Sequence, residues 1–175
     1  MRKIALSISE IKDIEKREFL RLGNSFKLME QAGKACAKQI IKIYKKNRFI
    51  VICGPGNNGG DGLILSSCLS DHGKEVDLYC LGKSNYKGDS LKAYKKNKLK
   101  KKPLDELNVN QDAVIVDALF GIGLNKKIEG IFKECVDKIN NSKLKVISVD
   151  IPSGIYGDNG KVMGEAVKAD VTLAL

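Results

Sequence analysis

The sequence is poor in several kinds of residue, and each shortage narrows what the chain can be. It has one histidine, no tryptophan, three prolines and few aromatic residues. Catalysis by a single thiol would want a histidine partner. The only one, His72, stands before Gly73 at an expected helix end, where a C-terminal cap is the better reading. The five cysteines, Cys36, Cys53, Cys68, Cys80 and Cys135, lie in apolar segments without a CxxC pair, the pattern of buried reduced thiols in a reducing compartment. No apolar run approaches the ~20 residues needed to cross a bilayer, so no membrane association is expected. The opening MRKIALSISEIKD turns acidic and helical too early for a signal peptide, which makes the cytoplasm the default location. No internal repeat, linker or low-complexity segment stands out beyond one lysine run.

Arginine is scarce as well. Only four of the 31 basic residues are arginine, although the net charge is +10. Phosphate and base recognition favour the guanidinium fork, so the lysine bias argues against nucleic acid as a partner. The densest run, KKNKLKKKP at 95–103, has no interleaved aromatics and reads as a solvated helix face with the loop after it.

What remains is the composition of a soluble globular protein, at 43% hydrophobic and 30% charged, long enough at 175 residues for one domain with a substantial core. The chain reads as a single domain over 1–175. It stops on an apolar strand, as a complete domain, a shortened product or the front part of a longer chain would. Two helices are expected first. SISEIKDIEKREFLRLG has a capping box, Ser7-x-x-Glu10, and apolar residues at helical spacing (Ile8, Ile11, Phe19, Leu22). SFKLMEQAGKACAKQIIKIYKKN follows, with Leu28, Ala32, Ala35, Ile40 and Ile43 expected toward a core, and Gly33 inside it pointing to close packing.

After residue 47 the pattern becomes strand, loop, helix, repeated. RFIVICG is continuously apolar, as strands buried on both faces of a parallel sheet are. EVDLYCLG, AVIVDALFG, KVISVDIPSG and ADVTLAL are further strands. DGLILSSCLSDHG, GDSLKAYKKNKLKK and GIFKECVDKINN are the helices between them. Four or five strands alternating with helices imply an α/β, Rossmann-like three-layer αβα sandwich with a mostly parallel sheet, preceded by the two N-terminal helices.

In open parallel sheets ligands bind beyond the carboxyl ends of the strands. Three of these strands end in polar loops. GPGNNGGDG at 54–62 brings Asn57, Asn58 and Asp61; VDALFGIGLNKK brings Asp117; SVDIPSG brings Asp150 and Ser153 around Pro152. Each has a plain structural reading as a tight turn or a backbone cap. Their convergence on one crevice is the functional signal. Carboxylate, amide and hydroxyl oxygens together suit a hard cation such as K⁺ or Mg²⁺. Residues 54–59 also fit G-x-G-x-x-G, a weak pattern alone. The acid that should close the next strand and hold a ribose is missing from LYCLGKSN, and Asp61 would repel a pyrophosphate, so a standard NAD dehydrogenase is disfavoured. No lysine–hydroxyl pair follows the glycines, which excludes a Walker-type phosphate loop.

NNGGDG at 57–62, DALFGIGL at 117–124 and DIPSG at 150–154, with LMEQAG at 28–33 before them, resemble the N-terminal domain of the YjeF family, the NAD(P)HX epimerases, over nearly the whole chain. The resemblance implies a usually dimeric Rossmann-like domain. Its activity would be the interconversion of the R and S forms of hydrated NADH and NADPH, a repair step that serves a stereospecific dehydratase, which some relatives carry as a fused C-terminal domain. It implies K⁺ as cofactor, held by Asn58, Asp117 and Ser153. Substrate contacts are implied for Asn57, Asn58, Gly59, Gly60 and Asp61, for Gly121, Ile122, Gly123, Leu124, Asn125, Lys126 and Lys127, and for Asp150. Lys126 and Lys127 stand where relatives often have Arg-Pro, and Ser67 where they often have arginine. Asp150, on a strand end before Pro152, is the expected acid–base group. The alternative is a nucleotide-binding or protein-interaction module of the same fold without turnover.

Overall fold

The Ser7 hydroxyl accepts the Glu10 N–H while Glu10 reaches back to the Ser7 N–H, and helix α1 (Ile8–Leu22) starts on that capping box. In this computed structural model residues 7–109 and 112–175 are described, so the first six residues of the opening segment lie outside them. Asn24 caps α2 (Ser25–Ile43). Thereafter β1 (Arg48–Cys53), α3 (Asn57–Asp71), β2 (Glu75–Cys80), α4 (Gly88–Lys96), β3 (Lys101–Lys102), β4 (Val114–Ala118), α5 (Gly130–Asn141), β5 (Lys145–Val149) and β6 (Val171–Leu173) follow in turn. The described residues form one six-stranded sheet in the order β3-β2-β1-β4-β5-β6. All neighbours are parallel. This order reverses direction between β1 and β4, the point where open α/β sheets bind ligands.

Alternation along the strands builds two cores. Phe49, Val51 and Cys53 of β1 and Val114, Val116 and Ala118 of β4 pack with α2, α3 and α4. Ile50, Ile52 and Ile115 face the other way, toward Cys135, Val136 and Ile139 of α5. Helices on both faces explain why the strands are apolar throughout. No helix among the described residues is long and apolar enough to cross a membrane.

Four local expectations differ from the structure. The face of α2 turned to the core is Phe26, Met29, Gly33, Cys36, Ala37 and Ile40, whereas Ala35 and Ile43 are exposed; the phase follows the close approach of Gly33 to α3. Phe19 of α1 is exposed, and Ile8 is the buried residue of that helix. The lysine-rich helix stops at Lys96, and Lys101–Lys102 form a short edge strand, raising the strand count beyond four or five. Lysine suits an edge because it discourages further pairing. Several of these lysines are also engaged: Lys102 bridges Asp77 at 2.6 Å, and the Lys92 and Lys96 ammoniums lie 4.2 and 4.7 Å from the centre of the Phe26 ring. Finally, α3 begins at Asn57 rather than Asp61, so NNGGD is the first turn of the helix and not part of the loop.

His72 caps α3 as expected, its N–H reaching Cys68 and Leu69 carbonyls. Gly33 explains itself too. A Cβ there would lie 2.7 Å from the Asp61 carbonyl oxygen and 2.7 Å from the Ile64 Cβ. Gly→Ala inside a helix ordinarily stabilises by about 1 kcal/mol. Forcing a methyl into this contact costs about 1–3 kcal/mol, and it strains backbone that can yield only by separating α2 from α3. Gly33→Ala is therefore expected to lower the urea midpoint, and an increase would show that the two helices are not in close contact.

Candidate functional site

Asp117 closes β4 with its carboxylate fully buried. One oxygen accepts the Ser153 hydroxyl at 2.6 Å and the Leu119 N–H at 3.2 Å; the other accepts the Ser148 hydroxyl at 2.8 Å and the Ser153 N–H at 3.0 Å. The four donors fill the acceptor positions of a carboxylate. They are all neutral, so the charge itself has no cation beside it among these partners. Burial pushes the Asp117 pKa up, while the Ser153, Ser148 and Leu119 hydrogen bonds pull it back. Ser153 also accepts the Phe120 N–H at 2.9 Å, which ties the loop after β4 to the loop after β5.

Asp150 follows β5 directly. Among the described residues it is the one non-glycine with positive φ, at 69°, a left-handed conformation that aspartate tolerates better than most residues. Two bonds hold it there: its N–H donates to Leu173 at 2.8 Å, and its Oδ2 accepts the Ile122 N–H at 2.8 Å. Burial raises its pKa, and the Ile122 N–H partly offsets this. A Cβ on Gly121 would collide with the Asp150 carboxylate and lie 3.3 Å from the Asn58 Cβ. Gly121 is thus the contact point of all three polar segments, and only a residue without a side chain fits there.

Asn58, in the first turn of α3, is 7% exposed, and neither its amide oxygen nor its nitrogen has a protein partner. A buried amide left this way costs free energy that a ligand would recover. Gly56 caps α3 without a side-chain bond, which leaves first-turn N–H groups for an anion. Asp61 is 9% exposed; burial, then Asp150, then Glu15 push its pKa up to about 8. A carboxyl largely neutral at pH 7 repels a pyrophosphate far less than an ionised one, which weakens that objection to a dinucleotide.

The structure brings Asn58, Asp61, Asp117, Gly121, Ile122, Asp150 and Ser153 together. Gly59 and Gly60 are buried in the first turn of α3, and Asn57 is exposed at its start. Leu124 is instead a core residue, packed in the α5-side cluster, and its side chain is not available to a ligand. Gly123, Asn125, Lys126 and Lys127 lie exposed on the loop that leaves the crevice. Sequence reasoning missed two groups. Ser148 interrupts the apolar run KVISV, and a hydroxyl inside a buried strand needs a partner, which was the available signal. Glu15, from α1, is close enough to feel Asp150, and its pKa is raised by burial and then by that charge. Nothing local in its helix marks it.

A profile of the family described as YjeF-related protein N-terminus matches residues 25–175. The chain belongs to the YjeF N-terminal family. It is 37% identical to a bifunctional NAD(P)H-hydrate repair enzyme of Thermofilum pendens over 95% of this chain and 34% of that protein. It is 34% identical to an NAD(P)H-hydrate epimerase of Lentilactobacillus buchneri over 94% of this chain and 80% of the other. The chain therefore spans about a third of the bifunctional YjeF relative and most of the single-activity one. A yeast protein of known crystal structure has the same fold, with a TM-score of 0.77 over 97% of this chain and 79% of that one, at 24% identity.

The Asp61 shift gives a testable stability difference. The folded value near 8 lies above an unfolded carboxylate near 4, so the native state holds more protons between them and loses stability as pH rises through that window. Asp61→Asn removes this penalty. It should raise Tm at pH 8 by several degrees, about 2 kcal/mol after allowance for relaxation, with the gain shrinking toward pH 4. A gain independent of pH would refute the shift.

Proposed function

We propose that this protein interconverts the R and S forms of hydrated NADH and NADPH, as the names of its relatives describe for them. The observation that carries the reading is the meeting of a half-buried, conformationally held acid, Asp150, with an unpartnered amide, Asn58, at Gly121.

The reacting carbon bears a hydroxyl next to the ring nitrogen. Asp150, whose raised pKa favours the acid form, donates a proton to that hydroxyl. The C–O bond breaks, water departs, and the nitrogen lone pair becomes the second bond of an iminium. Water adding to the opposite face forms the new C–O bond and releases a proton to solvent, and the Asp150 carboxylate regains one from solvent. The centre is inverted and no atom is gained or lost. Walls of Asn58, Asp61 and the Gly121–Ile122 backbone orient the ring, and the first turn of α3 offers N–H groups to the phosphates.

K⁺ fits the residues present. Asn58 supplies an unused amide oxygen and Ser153 a hydroxyl lone pair beyond its present bonds, both hard oxygen groups, while Asp117, to ligate directly, would give up one of its four hydrogen bonds and otherwise supplies a buried charge with only neutral partners. A bound K⁺ would balance that charge and hold the loops. If so, exchanging Na⁺ for K⁺ should raise Tm in the wild type and leave Asn58→Ala unmoved; equal response of both would remove Asn58 from the ion site.

A dehydratase acting on one epimer is the expected functional partner, and bifunctional relatives carry a repair enzyme of greater length in one chain. We further propose a homodimer and a cytoplasmic location. The test of the function is direct. One separated epimer of hydrated NADH is incubated with the protein and the other followed by chromatography. Wild type should exceed the spontaneous rate, and Asp150→Asn should lose about 10²–10⁴-fold with the fold intact. Full activity in that variant would reassign the acid–base role.

A further inference from the structure

The end of β2 carries a feature that the proposed site does not use. In the proposed reaction Asp150, beyond β5, and the Ile122 backbone, beyond β4, hold the reacting ring on the β4–β5 side of the switch in strand order. A dinucleotide is far longer than the ~4.8 Å between neighbouring strands, so it must cross other strand ends as well. In a sheet of this order the remaining half lies over β1 and β2.

Four segments meet there. Gly82, just past β2, has φ 64°, and a Cβ on it would lie 3.1 Å from the Phe132 ring and 3.3 Å from Pro55. Phe132 packs edge-on against Phe120, with centroids 4.9 Å apart. Pro55 follows β1, Phe120 follows β4, and Phe132 is in the first turn of α5. All three are half-buried, so this edge presents an apolar shelf bearing aromatic rings. Such a surface suits a purine, which has a π-face and little need of hydrogen bonds. Lys83 comes directly after Gly82 and is exposed, with no ion pair to it among the described residues. From Leu81 to Gly88 there is no acid, while Lys83 and Lys87 are both cationic. Dinucleotide folds place a carboxylate at this strand end to hold a ribose 2′-hydroxyl, or a cation to hold a 2′-phosphate. A lysine with no acid beside it is the second arrangement. Lysine acts there as a point charge rather than a fork.

We propose that the Pro55–Gly82–Phe120–Phe132 shelf is the subsite for the adenosine half of the substrate and that Lys83 pairs with a 2′-phosphate, making hydrated NADPH the preferred hydrate. Both the subsite and the preference rest on the epimerase reading, and nucleotide binding tests the subsite apart from turnover. The specificity constant kcat/KM is measured for separated epimers of both hydrates in wild type, Lys83→Glu and Phe132→Leu. Binding of adenosine 2′,5′-bisphosphate and of 5′-AMP is measured in parallel by calorimetry. Expected are about a tenfold advantage for hydrated NADPH, expressed in KM, and tighter binding of the bisphosphate. Both should vanish in Lys83→Glu, an exposed position that leaves folding intact, while Phe132→Leu weakens the two nucleotides alike. Equal constants for the two hydrates in wild type, with the bisphosphate bound no better than AMP, overturn the proposal and leave Lys83 a solvated surface charge. If neither hydrate is epimerised, the function fails, yet the binding arm still decides: bisphosphate preference lost in Lys83→Glu supports the subsite, and its absence refutes it.

Discussion

Everything at the carboxyl edge of the sheet depends on one buried carboxylate. Asp117 draws two hydrogen bonds from Ser153, one from Ser148 and one from Leu119, and so fastens the end of β4 to β5 and to the loop beyond it. Taking a carboxylate out of water costs several kcal/mol, and neutral donors alone repay only part of it. The arrangement persists because the same bonds set the loops: Ser153 passes the constraint to Phe120, and the loop after β4 then offers the Ile122 N–H to Asp150. Asp150 is locked in a left-handed conformation by that bond and by Leu173. Asp117 is thus a positioning residue for the acid three residues before its own partner Ser153.

Stability is given up at this edge. Asn58 is buried with both amide atoms unpartnered, and Asp61 and Asp150 are acids whose pKa values burial has raised. Each would be better replaced if folding alone mattered. Three unfavourable groups gathered at the switch point of the sheet, two of them meeting at Gly121, is the pattern of a site held ready for a ligand.

Much of this was legible in the sequence. The apolar strands, the polar loops at their ends and the capping box of α1 follow from local patterns, and the three loops converge because a doubly wound sheet leaves them one edge to share. What local patterns could not supply was phase and reach. α2 presents Ala37 and Met29 rather than Ala35 to the core because Gly33 meets α3, a contact made 28 residues away in the chain, at Asp61. Leu124 sits in the loop GIGLNKK yet belongs to the core, since an apolar side chain in a polar loop turns inward when α5 covers it. Glu15, on α1, comes within electrostatic range of Asp150 only through the tertiary fold. The edge strand Lys101–Lys102 has no apolar signature at all.

In the proposed reaction inversion proceeds by loss and re-addition of water at a site organised by Asp117 and served by Asp150. Turnover in H₂¹⁸O tests it most directly, with one separated epimer as substrate and mass spectrometry of the other as product. Every inverted molecule should carry one solvent oxygen. Inverted product that keeps its original oxygen would contradict it, since that outcome requires the ring to open without the hydroxyl leaving.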